Sequence, residues 1–486
     1  MALTNRRQFI QRGAFAAAAL CADRIKAIAD VSQPGVASEQ DLNSLDPAAI
    51  RRLGSQISGL IITPESTEYE SARVVFNRAF DRRPALIVRC AEASDVARTL
   101  EFVQKQNLPL AVRGGGHNRA GFGVCDGGAV IDLSRMNRVD VDPRKGVARA
   151  EAGALVRDLD QATQRYGLAT TSGGCPTVGI AGLTLGGGEG FLMSKYGAAC
   201  DNLVSAQLVT VDGGQVEASQ TSNTDLFWAI RGGGGNFGVA TALEYQLHPV
   251  TSVLAGTLMY PPGQLPALLH AFADLVAAAP DELNVVGQVL PSEKGPGFLV
   301  LFFYSGDPSR GRDILRNWQA LKPQEDTVKD TSYLETQRTI NPYASVAHFQ
   351  TDVVVPELSP SVIQLIATAA NDALPNTRVF IVPFYGAVTR VGVSDTAFAL
   401  RQPGYELDIM GRWNTPAEKE VAVQWVKALR SKLQPFARGL YVNQLGETSE
   451  DLVRAGYGPN YVRLAEIKKK YDPGNLLRLN QNIRPA

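Results

Sequence analysis

The chain has 486 residues and a formal net charge of +0, from 48 basic and 48 acidic residues. This length exceeds what one hydrophobic core usually serves, so two or three domains are expected. The 45% hydrophobic and 20% charged residues are typical of a globular protein. The charge balance lacks the basic excess of nucleic-acid-binding proteins, so no such partner is expected. The cysteines form no CxxC motif and the histidines show no metal-ligand spacing, so no metal site is predicted.

The first 29 residues have the features of an export signal. Residues 5–10 (NRRQFI) resemble a twin-arginine motif, and a short apolar run and an Ala-x-Ala site at 27–29 follow. The run is too short to span a bilayer, so no membrane span is predicted. We expect a twin-arginine signal peptide over 1–29, carried by the Tat translocase, and a periplasmic or secreted protein. A basic, alanine-rich helix is the alternative.

Residues 30–64 are polar and without clear pattern, and they are predicted to form an N-terminal arm. Beyond them, short apolar runs and apolar stripes predict alternating strands and helices. The helix at 92–106 has Ser94 as a candidate N-cap. The predicted strands lie at 85–88, 110–112, 129–133, 203–211 and 239–247, with a hairpin at 139–151 and further helices at 155–166 and 225–229.

Three glycine clusters interrupt these elements, at 112–118 (VRGGGHN), 170–190 and 231–238. Glycine destabilises regular structure by roughly 0.5–1 kcal/mol per residue relative to alanine, but it permits positive φ and close backbone approach. A Rossmann fingerprint would need GxGxxG after a strand and an acidic residue about 20 positions later, and that form is absent. Purely structural turns would leave unexplained why the first two clusters each contain one nucleophile, His117 and Cys175.

The composition changes near Pro249, and the rest of the chain alternates helices with extended segments. We predict a second domain over 256–432, in which the strands form one antiparallel sheet. The predicted elements are helices at 262–279 and 359–374, strands at 285–290, 297–304, 377–383 and 405–413, and a C-terminal helix at 462–470.

Four blocks of the chain, at 112–118, 174–188, 231–241 and 471–481, resemble the berberine-bridge-enzyme-like family of FAD-linked oxidases. They span nearly the whole mature chain in the expected order. The resemblance implies an α+β fold of the vanillyl-alcohol-oxidase type. A PCMH-type FAD-binding domain with two subdomains would cover 65–255, and a substrate-binding domain, with an antiparallel sheet covered by helices, 256–432. The C-terminal segment 433–486 would return to the FAD domain.

The resemblance also implies FAD attached through two bonds, from His117 to the 8α-methyl carbon and from Cys175 to C6 of the flavin. Imidazole and thiolate are nucleophiles suited to such bonds, and consecutive glycine amides suit a pyrophosphate. Three other cysteines, Cys90, Cys125 and Cys200, are expected to be packing residues. The predicted cofactor-binding residues are Arg113, Gly114, Gly115, Gly116, His117, Asn118, Gly174, Cys175, Thr177, Val178, Gly179, Gly182, Gly187, Gly188, Gly238, Val239 and Asn443.

Two positions of the second cluster bear on reactivity by the same resemblance. Val178 matches a position that bears on reaction with dioxygen. Family members with valine there tend to react with dioxygen, and those with leucine tend not to. Leu183 departs from relatives that have a histidine near the flavin's pyrimidine end, so that contact is missing here.

The strand at 405–413 offers the candidate base. Alternation places Glu406 and Asp408 on one face, about 7 Å apart, where mutual repulsion and burial should raise their pKa values. In the family, the position of Asp408 faces the flavin. Tyr441 is the rival, in a block that resembles the family's Tyr-x-Asn-Tyr but has Gln444 in place of the second tyrosine. We predict that Asp408 and Tyr441 act together, with Glu406 beside them.

These residues predict an FAD-dependent oxidase that oxidises an alcohol or lactol of a sugar or secondary metabolite. Hydride would pass to flavin N5, and dioxygen would take the electrons to give H2O2. A dehydrogenase that passes electrons to a quinone or protein acceptor is the alternative enzyme. A flavin-bearing binding protein without turnover is the alternative of another class, and the presence of both Asp408 and Tyr441 argues against it.

Overall fold

The computed structural model of the protein describes residues 45–339 and 345–486. The predicted signal peptide and residues 30–44 of the predicted arm lie outside the described residues. Residues 45–64 contain the helix Pro47–Gly54 and the strand Leu60–Ile62. None of the described helices is long and apolar enough to cross a membrane.

A four-stranded sheet carries the first glycine cluster. The strand Leu60–Ile62 pairs antiparallel with Leu86–Arg89, and the other neighbouring strands are parallel. The strand order is Leu60–Ile62, Leu86–Arg89, Ala129–Asp132, Leu110–Arg113. The three parallel strands confirm the predictions near 85–88, 110–112 and 129–133. The sheet nevertheless begins before residue 65, with the strand Leu60–Ile62. The sequence does not predict this strand, because three residues are too few to show a pattern.

A five-stranded antiparallel sheet shares a hydrophobic core with the first sheet. Its strand order is Val139–Asp142, Val147–Glu151, Val239–Gln246, Leu203–Val209, Gln215–Ser219. The helix Ala93–Lys105 buries its predicted stripe, Val96, Leu100 and Val103, in this core. Its N-cap is Glu92 and not Ser94, so that detail of the prediction is wrong.

The second half of the chain forms one large antiparallel sheet, as predicted. Its strand order is Glu325–Asp326, Ser252–Tyr260, Gly297–Tyr304, Leu283–Leu290, Thr377–Phe384, Gly404–Trp413, Ala347–Val355, with Lys329–Ser332 also paired to Ser252–Tyr260. The strands Ser252–Tyr260 and Ala347–Val355 were not predicted. The first of them starts before residue 256, so the sheet extends slightly past the predicted domain boundary.

Four long helices cover one face of this sheet. They are Leu265–Ala277, Pro308–Gln319, Pro360–Asn371 and Pro416–Leu433, and they enclose a second hydrophobic core. In the strand Gly404–Trp413, the odd-numbered residues Tyr405, Leu407 and Ile409 enter that core. Since side chains alternate along a strand, the even-numbered residues face the other way, toward the glycine clusters.

The remaining elements lie outside the three larger sheets and the helices already described. They are the two-stranded pair Leu168–Ala169 with His248–Pro249, the helices Tyr69–Ala72, Val156–Gln164, Ile180–Leu185, Met193–Tyr196, Thr224–Ile230, Tyr333–Thr339, Glu450–Tyr457 and Tyr461–Tyr471, and the 3-10 turns Ala199–Asn202, Gly386–Thr389, Gln434–Phe436, Val442–Gln444 and Gly458–Asn460.

The helix Tyr461–Tyr471 packs on the first core and is held there by a buried ion pair. Lys468 Nζ donates to Asp472 Oδ2 at 2.6 Å and to the backbone oxygens of Asn236 and Leu477 at 2.8 and 3.0 Å. The side chains of Lys468 and Asp472 are 0% and 1% exposed. Lys468 therefore ties the C-terminal segment to the third glycine cluster.

Replacing Lys468 with methionine should lower the free energy of unfolding by about 3–5 kcal/mol, because Asp472 would stay buried without its countercharge. Urea unfolding followed by tryptophan fluorescence measures the loss. Lys470→Met is the matched control, since the ammonium of Lys470 pairs with Asp225 at a surface where its side chain is 60% exposed. Its expected cost is below about 1 kcal/mol. Equal losses in both variants would contradict the assigned role of Lys468.

Candidate active site

A cavity of ≈ 420 Å³ lies where the glycine clusters meet the face of the large sheet opposite these four helices. Its wall includes residues from all four blocks that resemble the flavin oxidases. The predicted cofactor residues on this wall are Arg113, Gly114, Gly115, Gly116, His117, Asn118, Gly174, Cys175, Val178, Gly179, Gly182, Gly238, Val239 and Asn443. The structure thus brings these separate stretches of sequence together.

The first two glycine clusters touch through their backbones. A Cβ on Gly115 would collide with the backbone of Gly179, and a Cβ on Gly179 would collide with the nitrogen of Gly115. Gly116 also adopts a φ of 71°, which side chains disfavour. These glycines are therefore required for the close approach of the two loops.

Where the loops meet, both residues predicted to bond to the flavin lie close to one hydroxyl group, that of Thr177. Thr177 Oγ1 lies 3.0 Å from His117 Nε2 and 3.4 Å from Cys175 Sγ. The ring of Phe76 stacks on His117 with 3.9 Å between the centroids. Burial lowers the pKa of His117 to about 3, so its imidazole is neutral. Thr177 itself lines a neighbouring cavity of ≈ 580 Å³ and is exposed there.

Gly187 and Gly188 have a different position from the other predicted cofactor residues. Their φ angles are 120° and 90°, and Cβ atoms on them would collide with the ring of Phe398 and with Ala199. They form a tight turn behind the cavity wall, and this turn directs the next residue, Glu189, to the wall.

Buried donors at the cavity fit an anionic cofactor. Arg113 donates from Nη2 to Asp132 at 2.9 Å, while its buried Nη1 has no hydrogen-bond partner among the described residues. The buried Nε2 of Gln481, also on the wall, likewise has no hydrogen-bond partner among the described residues. Since buried polar groups are normally paired, such donors together with the glycine amides fit the pyrophosphate of FAD.

Four carboxyl groups are buried on or behind the opposite wall. Glu406 and Asp408 share a face of their strand as predicted, Asp352 lies opposite Asp408 on the neighbouring strand, and Glu189 contacts Glu406. Burial raises the pKa of Asp408 and of Glu189 to about 7, and it also raises the pKa values of Glu406 and Asp352 well above their ordinary range. Asp408 is on the wall, whereas Glu406 lies behind it.

The predicted direction of the pKa shifts is confirmed, and of the two predicted causes burial outweighs the repulsion between Glu406 and Asp408. Burial is the largest cause for each of these groups. Neighbouring charges of Glu189, Asp352 and Asp408 raise the pKa of Glu406 as well, while the charge of Arg119 lowers that of Asp408 in part. Sequence reasoning missed Glu189 and Asp352, because one sits in a glycine cluster and the other on an unpredicted strand.

Asp408 is held by a chain of amide groups. Gln350 Nε2 donates to Asp408 Oδ2 at 2.7 Å and to Gln444 Oε1 at 2.9 Å. Arg119 Nε donates to the same oxygen of Gln444 at 3.3 Å. Gln444, which replaces the family's second tyrosine, therefore links the carboxylate of Asp408 to a cation.

Tyr441 is buried on the same wall and acts as a hydrogen-bond acceptor. Its hydroxyl oxygen accepts from the Gly188 amide at 2.9 Å and from Asn443 Nδ2 at 2.8 Å. Burial raises the pKa of Tyr441 well above its ordinary value, so the phenol keeps its proton near neutral pH. Asn443 Nδ2 also donates to the backbone oxygen of Leu183, which lines the cavity with Val178.

The cysteines predicted to be packing residues, Cys90, Cys125 and Cys200, are buried. Burial raises the pKa of Cys90 and of Cys125 to about 12. Cys175, by contrast, is partly exposed at the cavity.

Comparison with known proteins decides the family. Residues 84–219 match the family model of an FAD binding domain, and residues 440–484 match the model described as berberine and berberine like. The chain is 32% identical over 454 residues to (R)-6-hydroxynicotine oxidase of Paenarthrobacter nicotinovorans, covering 88% of this chain and 97% of that one. The chain belongs to the berberine-bridge-enzyme-like family of FAD-linked oxidoreductases.

Solved structures agree with this assignment. 6-Hydroxy-D-nicotine oxidase from Arthrobacter nicotinovorans superposes with a TM-score of 0.82 at 28% identity, covering 88% of this chain and 98% of that one. Xylooligosaccharide oxidase from Myceliophthora thermophila C1 has a TM-score of 0.83 at 24% identity, covering 90% and 99%, which bears on the fold alone. The predicted family, fold class, FAD cofactor and oxidoreductase activity are confirmed.

Replacing Glu406 with glutamine should reduce the dependence of thermal stability on pH. Its folded pKa lies above the unfolded value of about 4.3. The stability that the neutral form contributes is therefore full below that value and is lost as pH rises through the folded pKa. Between about pH 5 and pH 8, we expect the melting temperature of the unmodified protein to fall, and that of Glu406→Gln to fall less, by on the order of 2 °C.

The exposed Glu466→Gln is the control for this measurement and should keep the full dependence on pH. A fall in melting temperature that is the same in the Glu406 and Glu466 variants would show that Glu406 ionises normally in the folded protein.

Proposed function

We propose that this protein oxidises the alcohol or lactol group of a sugar or secondary metabolite, with dioxygen as the electron acceptor. The observation that carries the proposal is Asp408, a buried carboxyl on the cavity wall whose pKa of about 7 suits a base near neutral pH. The predicted twin-arginine signal supports export to the periplasm or exterior.

The residues of the cavity wall have different roles in the proposed reaction. Asp408 in its ionised form accepts the proton of the substrate hydroxyl, and the amide of Gln350 fixes the carboxylate through its 2.7 Å hydrogen bond. Bound FAD supplies the hydride acceptor. Tyr441 keeps its proton and holds Gly188 and Asn443 in place, so of the two predicted residues Asp408 is the base and Tyr441 a positioning group.

His117 and Cys175 are proposed to hold FAD through two covalent bonds. Both nucleophiles lie at the cavity wall, and the neutral imidazole of His117 retains a lone pair for attack. Two such bonds would hold the cofactor without a closed pocket, which leaves space for a bulky substrate. Among relatives, a carbohydrate oxidase from Microdochium nivale is 27% identical over 462 residues, covering 87% of this chain and 92% of that one, which supports a sugar substrate.

Anaerobic reduction followed by admission of air tests the acceptor. We expect reoxidation within minutes and H2O2 equal to the flavin reduced, because Val178 leaves space at the cavity wall. Val178→Leu should slow reoxidation about tenfold, since one methylene group controls access. The exposed Val393→Leu is the control. Reoxidation over hours in the unmodified protein would favour the alternative dehydrogenase.

Replacing Asp408 with asparagine should slow reduction of the flavin by substrate about 10²- to 10⁴-fold, because the hydroxyl proton loses its acceptor. In the unmodified protein the rate should rise with pH through about 7 as Asp408 ionises, and this rise should disappear in the variant. Stopped-flow absorbance measures both, over a panel of sugars, phenolic alcohols and alkaloid-like amines.

Asp372→Asn, at an exposed helix end, is the matched control for Asp408→Asn. If flavin reduction in Asp408→Asn keeps both its rate and its dependence on pH, another group must take the proton.

A further inference from the structure

One hydroxyl group lies between the two nucleophiles of the cavity. Thr177 Oγ1 is 3.0 Å from His117 Nε2 and 3.4 Å from Cys175 Sγ, and both distances suit hydrogen bonds to these atoms. The contact between Gly115 and Gly179 brings the loops of these residues together. The stacked ring of Phe76 limits rotation of the His117 imidazole out of this arrangement.

Two arrangements join the two side chains through the hydroxyl without using the sulfur of a neutral thiol, which is a weak acceptor, because the hydroxyl has one proton to donate. In the first, the thiol of Cys175 donates to Thr177, Thr177 donates to His117 Nε2, and Nδ1 carries the imidazole proton. In the second, His117 Nε2 donates to Thr177, and Thr177 donates to the thiolate of Cys175. The two arrangements differ by one proton.

The two arrangements also differ in reactivity, and they do so at both side chains together. In the first, Nδ1 of His117 has no free lone pair and the sulfur of Cys175 is protonated, so neither side chain is a nucleophile. In the second, Nδ1 has its lone pair and the sulfur is a hydrogen-bonded thiolate. Loss of one proton from the group of three residues therefore prepares both nucleophiles.

We propose that Thr177 is a positioning residue for covalent attachment of the flavin, and that its hydroxyl couples the activation of His117 to that of Cys175. This inference rests on the proposed two-bond attachment of FAD. It assigns to Thr177 a role distinct from contact with the bound cofactor.

The chemistry balances for each bond. At His117, a bond from Nδ1 to C8α replaces a C8α–H bond, and the Nε2 proton leaves through the Thr177 hydroxyl. At Cys175, a bond from Sγ to C6 replaces a C6–H bond, and the thiol proton is lost. In both cases the two electrons pass through the flavin to dioxygen, which also takes two protons and becomes H2O2.

The second cavity supplies an outlet for these protons. It has a volume of ≈ 580 Å³ and is lined by both Thr177 and His117, with Arg157 and Asp158 nearby. Thr177 is exposed, and it lines this cavity but not the wall of the candidate active site. The hydroxyl can therefore exchange its proton with solvent without opening the cavity that would hold the substrate.

Thr177→Val tests the inference, because valine keeps the shape of threonine and removes only the hydroxyl. Each variant is produced with FAD and precipitated in acid, and the flavin peptides that contain residues 117 and 175 are quantified by mass spectrometry over time. We expect at least an approximately tenfold loss of rate at both sites in Thr177→Val. Thr177→Ser keeps the hydroxyl and should restore both attachments, which a merely structural effect would not predict.

Thr221→Val, at an exposed turn, is the matched control and should attach flavin at the unmodified rate. Thr177→Ala serves as a second variant without the hydroxyl, and the absorbance of bound FAD before acid treatment reports whether each variant still binds the cofactor. Attachment at both sites at the unmodified rate in either hydroxyl-free variant overturns the inference. So does loss at only one site, since the two activations would then be independent.

The same measurement separates this inference from the proposed function. If acid releases free FAD from the unmodified protein, the two-bond attachment is wrong and the role of Thr177 falls with it. If the unmodified protein holds FAD at both sites and the hydroxyl-free variants do too, only the role of Thr177 is overturned.

Discussion

The close contact between the backbones of Gly115 and Gly179 is the constraint on which the rest of the site depends. No side chain larger than hydrogen fits at either position, so the two loops meet without any packing layer between them. That contact brings the loops of His117 and Cys175 together, and both cavities are lined by residues of these loops. Glycine at these two positions therefore permits a close approach of the two backbones that residues with side chains would prevent.

The large sheet provides the carboxyl groups of the site, because one of its faces is apolar and the other is acidic at the cavity. One face of the strand Gly404–Trp413 is apolar and packs under four helices, while the other presents carboxyl groups to the cavity region. The helices hold the strand in its register, and the register holds Asp408 at the wall and Glu406 behind it. A shift of one residue along the strand would exchange the apolar and acidic faces, so the packing of the core protects the position of Asp408.

Burial has opposite consequences for the two kinds of group at the site. It lowers the pKa of His117 and raises those of Asp408 and Tyr441, since a low-dielectric surrounding disfavours every charged form. The imidazole is therefore free to act as a nucleophile, the carboxyl is close to its midpoint near neutral pH, and the phenol stays protonated. The charge of Arg119 and the hydrogen bond from Gln350 limit how far the pKa of Asp408 rises.

The sequence by itself determined the family, the places of His117 and Cys175 in their glycine clusters, and the strand that carries Asp408, because glycine clusters and period-two alternation are local patterns. It did not determine the partners of Asp408, since Gln350 and Asp352 lie on a strand of Ala347–Val355 that was not predicted. Nor did it show that Thr177 lies between His117 and Cys175, or that Glu189 contacts Glu406. These contacts join residues far apart in the chain, and only the packing of two sheets and three loops around one cavity decides which side chains meet.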